Sequence, residues 1–216
     1  MQKQFDKNTI ILTGEVAQAP HFSHDSHGVR FDTFPLRVPR LSGAEDLLNI
    51  LAPSQLLEAM ELREGENVKL FGAVRTFNNH SGVGSRLVIS VHAKTIERTA
   101  EAPENRLSLS GALCKLPVYR TTPMGREICE LMLAANRNYG RSDYLPCIAW
   151  GSLAVNCRDL PVGTRVTLDG RLQSRIYHKE ENGEKVPHTA FEVSVMSMGL
   201  DLATTERQEA EVPPQD

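Results

Sequence analysis

Two large aromatics stand six residues apart in Tyr144-Leu145-Pro146-Cys147-Ile148-Ala149-Trp150-Gly151-Ser152-Leu153, which holds the only tryptophan of the chain. The run reads as a strand passing straight into a helix. Side chains alternate along a strand, so Tyr144, Ile148 and Trp150 share one face and Leu145, Cys147 and Ala149 the other. The second face has the small apolar character of a core. The first could be a platform on which unpaired bases stack, or a second buried face or subunit contact. Further on, Arg171, Arg175 and Tyr177 fall on one strand face, placing cation and ring along a single track. A groove that follows a nucleic-acid backbone needs that interleaving, because phosphates take the charge and bases take the ring. A half-buried hairpin position is the other reading of Tyr177. Arg137 and Arg141 lie in a connection, where they suit either phosphate contact or a solvated loop.

Composition narrows the setting. A chain of 216 residues, 40% hydrophobic and 24% charged, is that of a globular protein with room for one large or two small domains. No apolar run reaches membrane-spanning length, and Met1–Lys7 lacks the character of a signal sequence. Cys114, Cys129, Cys147 and Cys157 form no CxxC pair and read as reduced cytosolic thiols. The net charge of -3 hides a gradient: Lys+Arg against Asp+Glu is 11 to 13 over residues 1–104, 12 to 9 over 105–199, and 1 to 5 over 200–216. The basic segment is the one that carries the aromatics.

The elements that must position these residues come in duplicate. Gly14, Pro20 and Gly28 recur 97 residues later as Gly111, Pro117 and Gly125; Ile50, Ser54, Gly65 and Gly72 recur 98 later as Ile148, Ser152, Gly163 and Gly170. A period of domain size means a duplicated domain rather than a solenoid. Each copy reads as a first strand (Thr9–Val16; Leu107–Lys115), a loop, a second strand (Arg30–Val38; Arg126–Asn136) and a third (Leu47–Ala52; Tyr144–Trp150). A short helix follows, with Ser54 or Ser152 as N-cap. A fourth strand (Asn67–Phe77; Arg165–Tyr177) then turns at Ser81-Gly82 or Asn182-Gly183 into a fifth (Arg86–His92; His188–Met196). The expected fold class is all-β: two tandem OB-folds, five-stranded Greek-key barrels with a helix between strands three and four. Residues 1–98 form the first fold, 99–104 a linker, 105–200 the second fold, and 201–216 a disordered acidic tail.

The second copy resembles the bacterial single-stranded DNA-binding proteins. The resemblance is carried by Asn105-Arg106-Leu107-Ser108-Leu109-Ser110-Gly111, Ala134-Ala135-Asn136-Arg137-Asn138-Tyr139, the Leu145–Ala154 run and Gly170-Arg171-Leu172-Gln173-Ser174-Arg175-Ile176-Tyr177. It implies base-stacking roles for Tyr139, Tyr144, Trp150 and Tyr177, single-stranded DNA as the partner, no cofactor and no catalysis. It also implies particles of four OB-folds, which a homodimer of this chain would supply, and a cytoplasmic, nucleoid-associated setting. Proteins of that family end in an acidic stretch closed by Pro-Phe that docks replication and repair partners. Here the end is Glu211-Val212-Pro213-Pro214-Gln215-Asp216, without the aromatic. At the repeat offset Trp150 is expected opposite Ala52, Tyr144 opposite Asp46 and Tyr177 opposite Asn79, leaving Phe77 as the first copy's stacking candidate. The first copy then reads as divergent and mainly structural.

His21, His24 and His27, with Asp25 among them, have spacing that could bind a metal, but their counterpart Val118–Met124 has no such ligands, so no metal site is expected. No P-loop, GxSxG or HExxH is present, and an enzyme is not expected. The alternative function is a primosome-like OB-fold accessory protein that acts mainly through protein contacts.

Overall fold

The computed structural model describes residues 6–79, 86–181 and 183–201. In chain order they form β1 (Asn8–Val16), β2 (His21–Ser26), β3 (Val29–Pro39), β4 (Glu45–Pro53), α1 (Ser54–Glu58), β5 (Asn67–Asn78), β6 (Leu87–Arg98) and β7 (Glu104–Leu113). There follow β8 (Val118–Thr121), β9 (Glu127–Asn136), a 3-10 turn (Asn138–Gly140), β10 (Ser142–Trp150), α2 (Ser152–Cys157), β11 (Arg165–Glu181) and β12 (Glu184–Leu200). The turn at Ser81-Gly82, Asn182 and the tail over 202–216 lie outside the described residues. No described helix is long and apolar enough to cross a membrane.

Two closed barrels result. β1 pairs antiparallel with β3 and β5, β3 with β4, and β5 with β6, while β4 runs parallel to β6. Following these ladders returns to β1, which removes the sheet edges. The second barrel repeats the order as β7-β11-β12-β10-β9, with β9 pairing back to β7. One short helix stands between the third and fourth barrel strands of each. This all-β arrangement is the expected pair of OB-folds.

By compactness the described chain divides into a larger unit, residues 8–107 with 171–193, and a smaller one, residues 6–7, 108–170 and 194–201. Ile10, Leu12, Phe34, Leu48, Ile50 and Leu70 are buried in the larger unit, and Leu109, Leu113, Leu133, Leu145 and Val166 in the smaller. The repeated glycines have a steric reason. A Cβ on Gly14 would collide with the Arg37 carbonyl oxygen, and one on Gly111 with that of Ala134, at corresponding strand crossings.

Four expectations are corrected. The stretches read as loops after the first strand of each copy contain β2 and β8, each folded back on the next strand. Alternation there is weak because these strands are mostly exposed, so no apolar pattern marks them. The fourth and fifth strands of the second copy run well past Tyr177 and Met196 for the same reason. Ser54 and Ser152 are the first helical residues rather than caps. The cap positions are Pro53 and Gly151, without a side-chain cap bond, and Gly151 turns the chain at a φ of 58° that favours glycine.

The fourth correction moves the one-residue slip between copies. Phe31 faces Pro53 and Ile128 faces Trp150, both partners 97 residues apart, so the offset is unchanged through the whole third strand. The extra residue is Gly151, at the helix entry. Trp150 therefore corresponds to Pro53 rather than Ala52, and Tyr144 to Leu47 rather than Asp46. Asp46 corresponds to Asp143.

Candidate nucleic-acid interface

In the smaller unit, β10 alternates as the sequence requires. Leu145, Cys147 and Ala149 point into the barrel, whereas Tyr144 is 48% and Trp150 40% exposed on the outer face. Ile148, between them on that face, is buried and gives it an apolar middle. Both rings thus look outward from a rigid strand paired residue by residue with β9. Trp150 also borders a cleft of about 580 Å³ with Thr121, Gly125, Arg126, Glu127 and Gly151. Arg126, which the sequence places at the start of a strand, lies exposed in the turn just before β9 and adds a cation at this cleft. The Tyr119 hydroxyl donates to Glu127 Oε1 at 2.8 Å, and this bond raises the phenol's pKa above its ordinary value.

The cations after β9 separate into two kinds. Arg137 lies 3.2 Å from the wholly buried carboxylate of Asp143. A buried carboxylate needs such a partner, so this arginine has a structural commitment. Arg141 is exposed, and its carbonyl accepts the Arg137 amide at 2.7 Å. Tyr139 sits in the 3-10 turn, and its ring lies outside the described residues.

Within the larger unit, Arg171, Arg175 and Tyr177 follow one another on β11. The Arg175 guanidinium stands 5.8 Å from the centre of the Tyr177 ring, and His188 stacks on that ring at 5.6 Å. Arg175 is exposed, with Glu192 at 3.9 Å; Arg171 is half-buried, reaching Gln173 at 3.5 Å. The root of this hairpin is anchored at Ser174. Its amide donates to Asp46 Oδ1 at 2.7 Å, its hydroxyl accepts from the Leu47 amide at 3.0 Å, and its carbonyl accepts from Arg40 at 3.0 Å. Arg40 and the buried Asp46 form an ion pair whose hydrogen bonding raises the Arg40 pKa against the opposing effect of burial. None of this was visible in sequence order.

His21 and His24 lie on β2 and His27 in the following turn at a φ of 51°. Among the described residues, no group of three or more His, Cys, Asp or Glu is placed to hold a metal.

Residues 104–200 match the Single-strand binding protein family. The match covers a little under half of the chain. Over 84 residues the chain is 38% identical to single-stranded DNA-binding protein 1 of Staphylococcus aureus (strain COL), covering 36% of this chain and 50% of that one. Over 89 residues it is 35% identical to single-stranded DNA-binding protein A of Bacillus subtilis (strain 168), covering 38% and 51%. The chain spans about half the length of the curated relatives it matches. The single-stranded DNA-binding protein of Thermus aquaticus superposes with a TM-score of 0.76 at 19% identity, over 99% of this chain and 98% of that one, and shares the fold.

Proposed function

We propose that this protein binds single-stranded DNA without sequence preference and without catalysis. The observation that carries the reading is the joint exposure of Tyr144 and Trp150 on the outer face of β10, inside the segment that matches the family. Large apolar rings held outward on a paired strand cost solvation unless something covers them, and the flat faces of unpaired bases do so whatever their sequence. Tyr177 with Arg175, and the exposed Arg141, add rings and charge of the same kind. Arg171 and Tyr139 complete the set on resemblance, and Arg137 serves chiefly to neutralise Asp143. The second OB-fold (105–200), joined by the linker 99–104 to the first (1–98), carries most of this chemistry.

The setting we assign is cytoplasmic and nucleoid-associated, in replication, recombination or repair. A homodimer of the two-fold chain gives the four OB-folds expected of such a particle. A primosome-like accessory role is the rival reading. Titration of the whole chain with poly(dT) at several salt concentrations separates them. Tight, salt-sensitive binding with quenching of Trp150 fluorescence supports the proposal; weak binding without quenching overturns it.

A further inference from the structure

Alternate residues of a strand share a face, so Gln173 stands between Arg171 and Arg175 in the row on β11 that ends at Tyr177. Two residues of β12 meet this row. The Gln173 side-chain amide donates to Glu192 Oε1 at 2.7 Å, and the His188 ring stacks on that of Tyr177. These two contacts are four residues apart on both strands, which leaves Arg175 between them. Its guanidinium lies 3.9 Å from Glu192 Oε2.

The partners of that ion pair are unequal. The Glu192 side chain is 15% exposed and that of Arg175 56%. A carboxylate so far from water needs compensation. The buried Gln173 binds one of its oxygens. The Arg40 guanidinium, whose pKa is raised chiefly by its hydrogen bond to Asp46, also feels the Glu192 charge. Its own hydrogen bonds, however, go to Asp46 and to the Ser174 carbonyl. The second Glu192 oxygen faces Arg175 at more than hydrogen-bond distance. The guanidinium is therefore drawn to the carboxylate while its N–H donors stay available. An exposed arginine held so loosely can exchange a fixed carboxylate for a phosphate, which accepts two parallel N–H bonds from it.

We infer that Glu192 is an internal competitor of DNA phosphate for Arg175, and that it tunes how tightly the β11 row holds a single strand. In the free chain the carboxylate keeps the guanidinium beside the Tyr177 ring, 5.8 Å from its centre. A phosphate that binds Arg175 displaces Glu192, so the contact is weaker and more readily released than one made by an uncommitted arginine. The inference rests on the single-strand binding proposed above and assigns its β11 row a residue that limits affinity rather than adding to it.

The test is a double-mutant cycle on the full chain, titrated with poly(dT) at one fixed salt concentration and followed by Trp150 fluorescence, with thermal melts beside it. Glu192→Gln removes the charge and keeps an oxygen acceptor for Gln173. It should bind about 2- to 10-fold more tightly, with little change in melting temperature. In an Arg175→Ala background most of that gain should vanish. A gain of equal size in both backgrounds overturns the inference, because the carboxylate then repels DNA as a general surface charge. No gain in either background also overturns it and leaves Glu192 as a support for Gln173. In both cases tight binding with quenching by the unmodified chain keeps the proposed function standing. Absence of binding by the unmodified chain overturns both. Should Glu192→Gln fail to fold, Glu192→Asp takes its place in the cycle: it withdraws the charge by one methylene group and should give a smaller gain with the same dependence on Arg175.

Discussion

The amide of Ser174 donates to the carboxylate of Asp46 at 2.7 Å, across 128 residues of sequence. Asp46 is 1% exposed and is neutralised by Arg40, which also reaches the Ser174 carbonyl. One buried carboxylate therefore closes the β3–β4 turn and anchors the strand that carries Arg175 and Tyr177. Asp46→Ala should leave a cation and an amide without their acceptor, lowering stability by about 3–5 kcal/mol in urea unfolding. Asp46→Asn, which keeps one acceptor oxygen, should cost less. Equal stability of the two variants with the unmodified chain would mean that the pair contributes nothing.

Trp150→Ala separates stacking from packing. With the ring 40% exposed, the melting temperature should change little. Affinity for poly(dT) should fall about 5- to 150-fold, corresponding to about 1–3 kcal/mol per stacked base. The slope of log K against log salt should stay the same, because no phosphate contact is lost. A large fall in melting temperature with normal affinity would return Trp150 to the core.

Arg175→Ala should show the opposite signature. Loss of one phosphate contact lowers that slope by about 0.7 for a single strand, with the largest loss of affinity at low salt. Arg137→Ala is expected to act differently, destabilising the fold through the stranded Asp143. Measuring slope and melting temperature on both variants decides between the two roles.

Gly111→Ala places a methyl against the Ala134 carbonyl and should destabilise by about 1–3 kcal/mol. Gly28→Ala meets no neighbouring atom and carries only the strain of its φ of 78°, about 1–2 kcal/mol. Thermal melts should show both losses, whereas titration should show no change in salt slope or strand affinity for either, since neither residue lies on a binding face.

The four cysteines, all within the described residues, carry no disulfide. Burial pushes the Cys157 thiol up to about 11 and raises Cys114 and Cys129 as well. An unfolded thiol ionises at about pH 8.5, so between that value and about 11 the unfolded chain releases the Cys157 proton more readily. Stability is therefore full below that window and declines as pH rises through it. At neutral pH a disulfide reagent should modify Cys129 and Cys157 slowly until denaturant is added; rapid labelling of the folded chain would contradict their burial.

What sequence alone determined is local and repetitive. Strand alternation identified the inward face of Leu145, Cys147 and Ala149, and the recurring glycines marked the duplication. Those signals follow from backbone sterics and side-chain period, which each copy states independently. Tertiary structure decided the rest. The exposed hairpins β2 and β8 have no apolar face to announce them. The slip at Gly151, and so the partners of Trp150 and Tyr144, follows from ladder register with β9. The commitment of Arg137 to Asp143 requires knowing that the carboxylate is buried. The same holds for Ser174 and Asp46. Each depends on which distant strands exclude water from a polar group, and burial of that kind is set by the closed barrel.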